Sequence, residues 1–450
     1  RALAEARMAL QARSGSADRL WKAVPEKHAA DGGLAKDRMR WLIAKRRRAE
    51  ASDLIIAQST SRERLGEPEA WAHWRRVLAR QAMRDGSPRR AYQLASTHFL
   101  DGGSSYADLE WLSGYIALRY REEPQQALTH FRHFRSEIFT PISLGRAGYW
   151  EGRALEEMGE EAAAREAYAE AAKHQTSFYG LLAAEKIGVT MDPELTGNGG
   201  PRPWQDTAFA KTSVFQAAQL YALAGQRHQY EVTRFLRHLA ETTAEEELVA
   251  LGDYTLELGN PYVSVRVAKQ IAQRSVVAHR SYYPLSDLSG VELVVEEALA
   301  LSIARRESEF YPQARSQAGA LGLMQLMPGT ARDMASKLRL PYSQGRLTSD
   351  PAYNIALGSA YLDQLIDEFG NNIVLVSVGY NAGPHRARSW MERFGDPRRE
   401  GVDVVDWIEH IPFRETRNYV MRVAESLPVY RARRSGATAP LALSQELKAR

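Results

Sequence analysis

Ala298-Leu299-Ala300-Leu301-Ser302-Ile303-Ala304-Arg305-Arg306-Glu307-Ser308 is the stretch on which the reading of this chain turns. Leu299, Ile303 and Glu307 recur at i, i+4 and i+8, so in one helix over Val291 to Phe310 they share a single stripe. That places a carboxylate on an apolar face. Desolvation there raises its pKa and keeps it protonated near neutral pH, whereas a carboxylate on the polar face ionises. A protonated carboxyl is what a general acid requires. The competing reading is structural, a helix-end Glu paired to Arg305, Arg306 or Arg315.

Two stretches downstream favour the chemical reading. Gly319-Ala320-Leu321-Gly322-Leu323-Met324-Gln325-Leu326-Met327-Pro328-Gly329-Thr330-Ala331 is too glycine-punctuated for a helix interior and reads as a loop or short strand. Its glycines let backbone approach a ligand, Gln325 offers a donor and an acceptor, and its methionines suit an apolar sugar face. Pro328 suits the first turn of a new helix. Ile373, Val374, Leu375, Val376 and Val378 then form a helix apolar all round, hence buried, whose C-terminal end delivers Tyr380 and Asn381 before Gly383 and Pro384 stop it.

Read together, these residues resemble the soluble lytic transglycosylases of bacterial cell-wall metabolism. The family pattern is Glu-Ser, Gly-Leu-Met-Gln, Ala-Tyr-Asn-Ala-Gly and Ile-Pro-x-x-Glu-Thr-Arg-x-Tyr-Val. Here it is carried by Glu307-Ser308, Gly322-Leu323-Met324-Gln325, Gly379-Tyr380-Asn381-Ala382-Gly383 and Ile411-Pro412-Phe413-Arg414-Glu415-Thr416-Arg417-Asn418-Tyr419-Val420, in the same order and with similar spacing. One departure is Gly379 for the usual Ala, a lost methyl group expected to widen the pocket locally. The motif-bearing resemblance covers about the last third of the chain.

The remainder of the sequence sets the frame. The 450 residues, 44% hydrophobic and 25% charged, have an ordinary globular composition with length for two or three domains. A net charge of +4 suits an acidic polymer without choosing between peptidoglycan and nucleic acid. With no cysteine, disulfides, zinc-thiolate sites and thiol nucleophiles are excluded. No metal or cofactor is expected, because no H-E-x-x-H, EF-hand, P-loop or G-x-G-x-x-G motif occurs. No apolar run reaches the roughly 18 residues of a membrane helix and no signal-like segment opens the chain. Arg1 in place of Met suggests a trimmed chain or fragment.

From Arg1 to about Gly188 the pattern is helix after helix. Trp74, Trp111 and Trp150 each open a segment that runs into an Ala-rich partner, which suggests divergent helix-hairpin repeats resembling tetratricopeptide units, with the Trp residues used for packing. Lys45-Arg46-Arg47-Arg48 lies beside Glu50 in what reads as one helix. It and Arg132-His133-Phe134-Arg135 are read as solvated faces, with no nucleic-acid role. Thr196-Gly197-Asn198-Gly199-Gly200-Pro201-Arg202-Pro203 is the clearest linker. The expected division is an α-superhelical solenoid (1–200), a small helical linker domain (201–275) and a catalytic domain (276–450), all mainly α. By resemblance the last is a lysozyme-like, goose-type α+β fold with a small irregular sheet around the Gly-rich stretch.

What the resemblance implies about chemistry is specific. A single Glu, here Glu307, protonates the glycosidic oxygen between N-acetylmuramic acid and N-acetylglucosamine. The muramyl N-acetyl oxygen stabilises the anomeric centre, and the same Glu then takes the proton from the C6 hydroxyl, which attacks to leave a 1,6-anhydromuramyl end. An intramolecular hydroxyl at high effective molarity replaces water, so no second carboxylate is required. By matched positions, Ser316, Gln325, Met327, Tyr380, Asn381 and Glu415 bind the saccharide and Tyr419 supports Glu307. The implied partners are peptidoglycan glycan strands, with other cell-wall enzymes as candidates for the solenoid. The implied setting is a monomer in the periplasm. Two alternatives stay open: a hydrolytic muramidase or chitinase with Glu415 or another, unassigned carboxylate as base, and a non-catalytic glycan-binding solenoid adaptor.

Overall fold

Helices carry most of the chain in the computed structural model, which describes residues 1–288 and 290–450. The chain divides into two compact units, residues 1–138 with 147–168, and residues 139–146 with 169–450.

The first unit is built from antiparallel helix pairs, among them Glu69–Arg84 with Pro88–Ser96 and Gly103–Tyr120 with Pro124–Ser136. Pro88 and Pro124 each start the second helix of a pair, where the N–H that proline lacks has no partner to lose. Gly114 faces Phe131 so closely that a Cβ would come within 2.6 Å of the ring, which lets the two helices approach. Trp111 and Trp150 are buried with ring centroids 5.9 Å apart, and Tyr115 stacks on Trp111 at 5.1 Å. Packing is therefore the role of these two rings. Trp74 is only partly buried, and Trp71, three residues earlier on the same helix, takes the fully buried place.

The basic run Lys45 to Arg48 does not lie within one helix. Lys45 ends the helix Gly32–Ala44, Arg46 is left-handed at φ 61°, and Arg47 precedes the helix Arg48–Gln58. Arg47 pairs with Glu50, and Lys45 and Arg47 both lie over the Trp41 ring.

In the second unit, the helices Ser213–Leu223, Gln229–Thr242, Leu248–Glu257 and Pro261–Ala272 share a core of their own that includes Phe215, Leu236, Leu251 and Ile271. Beyond it, the expected helix from Val291 to Phe310 is shorter, Glu297–Ser308. Its start is delayed because the Val294 N–H is taken by the Ser359 hydroxyl at 3.0 Å. Its end comes at Glu309, left-handed at φ 54° and held there by Arg266 and Lys269.

The helix Pro351–Phe369 starts on Asp350, whose carboxylate accepts the Tyr353 N–H at 3.0 Å, and stops at Gly370 with φ 70°. The helix Ile373–Ala382 is capped by Asn372 and buried from Ile373 to Gly379, as its uniformly apolar sequence requires. Pro384 does more than stop it, since it is the first residue of the next helix, Pro384–Phe394. The small sheet expected around the Gly-rich stretch is reduced to two isolated antiparallel bridges, Arg315 with Leu321 and Leu321 with Leu326. Left-handed Gly319, Gly322 and Gln325 break the extended backbone before a ladder can form.

The helices Val404–His410 and Arg414–Ser435 are fastened by Glu409. This fully buried carboxylate accepts hydrogen bonds from Tyr179 at 2.7 Å and Arg146 at 2.6 Å, with Arg417 at 3.4 Å. Replacing it removes a buried negative charge shared by two guanidinium groups. Glu409→Ala is expected to lower stability by about 3–5 kcal/mol, measured as a shift of the urea unfolding midpoint.

Candidate active site

Glu307 occupies the last turn of Glu297–Ser308, on the stripe that begins at Leu299 and Ile303, both buried. It is partly buried and makes no ion pair among the described residues. Arg305 points elsewhere. Its guanidinium donates to the Tyr282 carbonyl at 3.0 Å and lies over the Tyr282 and Tyr283 rings at 4.6 and 4.4 Å. Arg315 reaches toward Thr348. The helix-end ion pair is thus not formed.

Desolvation dominates the carboxyl of Glu307 and pushes its pKa up to about 7, with the nearby charge of Glu415 adding to the rise. Tyr419 and Arg306 oppose the shift by favouring the ionised form. The Tyr419 hydroxyl is buried and faces Glu307 closely enough to act on its protonation through a hydrogen bond. Arg306 lies 5.7 Å from the centre of the Tyr419 ring. Burial holds the Tyr419 and Tyr380 hydroxyls protonated, well above their ordinary range.

The Gly-rich loop is fixed against this carboxyl by side chains from three helices. Ser308 donates to the Leu323 carbonyl at 2.7 Å, and Tyr380 donates to the Met324 carbonyl at 2.8 Å. Asn354 accepts the Met324 N–H at 2.8 Å and donates to the carbonyls of Leu321 and Leu347, each at 3.0 Å. Asn381 accepts from the Thr416 hydroxyl at 2.7 Å, which ties the end of Ile373–Ala382 to the first turn of Arg414–Ser435. The four motifs therefore meet around one carboxyl.

Comparison with known proteins agrees with this arrangement. Residues 290–401 match the model of the transglycosylase SLT domain. The soluble lytic murein transglycosylase of Escherichia coli K12 is 33% identical over 291 residues, 63% of this chain and 43% of that protein. A putative soluble lytic murein transglycosylase of Haemophilus influenzae is 39% identical over 131 residues, 29% of this chain and 21% of that protein. This chain therefore contains a transglycosylase SLT domain. It spans less than half the length of the curated relatives named here. The fold is shared with the lytic transglycosylase Slt of Pseudomonas aeruginosa, solved as an inactive mutant, at TM-score 0.62 and 22% identity over 98% of this chain and 74% of that one. It is shared too with the 70 kDa soluble lytic transglycosylase of E. coli, at TM-score 0.51 and 23% identity over 95% and 77%.

The expected site residues differ in what they touch. Glu307, Tyr419, Tyr380 and Glu415 act on one another electrostatically, while Gln325 and Asn381 adjoin residues bonded into the same assembly. Both amide hydrogens of Gln325 go to backbone, the Ala314 carbonyl at 3.1 Å and the Gly322 carbonyl at 2.8 Å, so its donors hold the loop. Ser316 is exposed and accepts the Ala320 N–H at 2.9 Å. Met327 is 45% exposed, but Met324 is fully buried against Gly358, so only one of the two methionines is available to a sugar face.

The expected widening at Gly379 does not occur. A Cβ there would meet Leu365 at 2.9 Å and Phe369 at 3.2 Å, so the missing methyl is filled by the neighbouring helix. Ser308, Asn354 and Thr416 were not among the expected site residues. Asn354 had a signal, a polar residue next to the apolar Ile355 in a helix otherwise facing the core.

Two outcomes test the site. At Gly322, with φ 80°, a Cβ would collide with the Leu347 carbonyl and the Asn354 amide. Gly322→Ala is expected to destabilise by at least about 1–3 kcal/mol in thermal or urea unfolding. Glu307 holds its proton more tightly folded than unfolded, so it lowers stability as pH rises from about 4.5 to about 7 and no further beyond. Glu307→Gln is therefore expected to raise stability at pH 8 by up to about 3 kcal/mol and to change it little at pH 4, read from urea midpoints at both values.

Proposed function

We propose that this chain cleaves the β-1,4 bond between N-acetylmuramic acid and N-acetylglucosamine of peptidoglycan without water, leaving 1,6-anhydromuramyl ends. The observation that carries the reading is a partly buried Glu307 with no ion pair and a pKa pushed to about 7. At neutral pH such a group is present in both protonation states. It gives its proton to the leaving glycosidic oxygen, becomes the carboxylate, and takes a proton from the C6 hydroxyl as that oxygen closes on the anomeric carbon. Its original state is then restored. Tyr419 is placed to stabilise the transient carboxylate, and Arg306 contributes charge in the same sense. Gln325, Met327, Tyr380, Asn381, Glu415 and Ser316 are assigned to the saccharide, with Gln325 and Tyr380 acting chiefly through the loop they hold.

The SLT-domain match and the murein transglycosylases among its relatives support peptidoglycan as substrate and the periplasm as the place of action. Among the described residues no helix is long and apolar enough to cross a membrane. A division into superhelix (1–200), linker (201–275) and catalytic segment (276–450) is supported by the separate core of the middle helices. A monomer whose superhelix engages other wall enzymes fits this layout.

Digestion of purified sacculi followed by mass spectrometry of the released muropeptides tests the reaction. Anhydro ends are expected; reducing ends would instead assign hydrolysis, with Glu415 as base. Glu307→Gln is expected to lower turnover by about 10²–10⁴-fold while sacculus binding persists. Wild-type kcat/KM is expected to fall above about pH 7, as Glu307 loses the proton it must donate.

A further inference from the structure

We propose that Glu110, His130 and His133, in the first unit, form a binding site for a single divalent transition-metal ion of the zinc type. Glu110 lies on the helix Gly103–Tyr120, and His130 and His133 lie one turn apart on the partner helix Pro124–Ser136. Both imidazoles aim Nδ1 at the same carboxylate oxygen, Glu110 Oε2, at 2.7 Å from His130 and 3.2 Å from His133. The three ligand atoms all lie within 4.8 Å of one another. Around a tetrahedral zinc with bonds of about 2.0–2.1 Å, neighbouring ligand atoms sit about 3.3 Å apart. The His133 edge is already at that length, and the His130 edge needs to open by about half an ångström.

The surroundings are those of a metal ligand set. The second Glu110 oxygen is held by His98 Nε2 at 2.9 Å, and the outer nitrogen of His130, Nε2, is held by the Tyr92 hydroxyl at 2.7 Å. Such partners orient a ligating carboxylate and fix the imidazole tautomer that leaves the inner nitrogen free to coordinate. The Glu110 side chain is 7% exposed, that of His130 12% and that of His133 53%. The ion enters past His133, and a water completes the tetrahedron on that side. Two imidazoles with one carboxylate favour zinc over calcium or magnesium, which take oxygen ligands. Bound there, the ion cross-links the two helices of a hairpin and stabilises the folded unit by mass action.

The site is independent of the reaction assigned to Glu307, and its test reads binding alone. Tag-free full-length chain is stripped with a chelator, dialysed, and titrated with Co2+ by visible absorption and with Zn2+ by calorimetry. One equivalent is expected to bind, with tetrahedral cobalt bands and a higher Tm in Zn2+ that Mg2+ does not reproduce. His133→Ala removes a half-exposed ligand without opening the core and is expected to weaken binding by at least about 100-fold, with circular dichroism unchanged. Tyr92→Phe is expected to weaken it by about 10-fold. Binding no tighter than millimolar in the wild type, or full affinity retained in His133→Ala, would overturn the proposal and leave the cluster as a hydrogen-bonded hub between helices.

Discussion

Withdrawing one carboxyl group from water is the constraint around which the C-terminal half of this chain is arranged. The carboxylate of Glu307 costs free energy to bury, and no cation is supplied to neutralise it, so the group meets the cost by holding its proton. Four contributions meet there. Burial and the charge of Glu415 push the pKa up, while Tyr419 and Arg306 pull it down, and the balance falls near neutrality. A salt bridge to either flanking arginine would have ended that balance by fixing the ionised form. Arg305 is kept away by the Tyr282 carbonyl and two aromatic rings, and Arg306 is held over Tyr419.

Such a balance depends on distances, and the segment facing Glu307 has little regular structure to keep them. The Gly-rich loop makes only two isolated bridges, so many of its backbone groups need partners from elsewhere. Side chains provide them. Ser308, Tyr380, Asn354 and Gln325 together bond the backbone of residues 314 to 324, and Asn354 makes two of those bonds and a third to the Leu347 carbonyl. Glycine supplies the other half of the solution, since the left-handed turn at Gly322 brings the chain against Leu347 and Asn354 where no larger residue fits. Polar residues near the Glu307 carboxyl thus serve first to build the loop.

That division explains what was legible in the residues themselves. Periodicity placed Glu307 on an apolar stripe, and the uniformly apolar run from Ile373 marked a buried helix, because both patterns follow directly from burial. Helix limits were less legible. The delayed start at Glu297 depends on a bond from Val294 to Ser359, 65 residues away, which no local pattern encodes. The roles of Gln325 and Gly379 were hidden for the same reason. A glutamine in a glycine-rich segment has the same composition whether it faces a ligand or its own loop, and a missing methyl opens space only if no neighbour fills it. Leu365 and Phe369 do fill it. The histidine cluster on Glu110 was hidden too, since its histidines lie 12 to 23 residues from that carboxylate and follow no recognised metal motif.

Glu309 supplies the control for the role of Glu307. Both are glutamates at the same helix terminus, two residues apart, and burial acts on each to raise the pKa. For Glu309 that effect is outweighed by Lys269 and Arg266, so its pKa falls below the ordinary value and it serves as an ionic anchor for the end of the helix. For Glu307 no such ion pair forms among the described residues, and the pKa rises. Burial therefore does not decide which carboxylate is fit for proton transfer; the absence of a paired cation does. The left-handed turn at Glu309 and Phe310 enforces the distinction, because it turns the chain after Ser308 and sends the second carboxylate to Lys269 and Arg266. Had the helix run on, neither the anchor at Glu309 nor the bond from Ser308 to the Gly-rich loop would keep its place, and Glu307 would lose the setting that holds its proton.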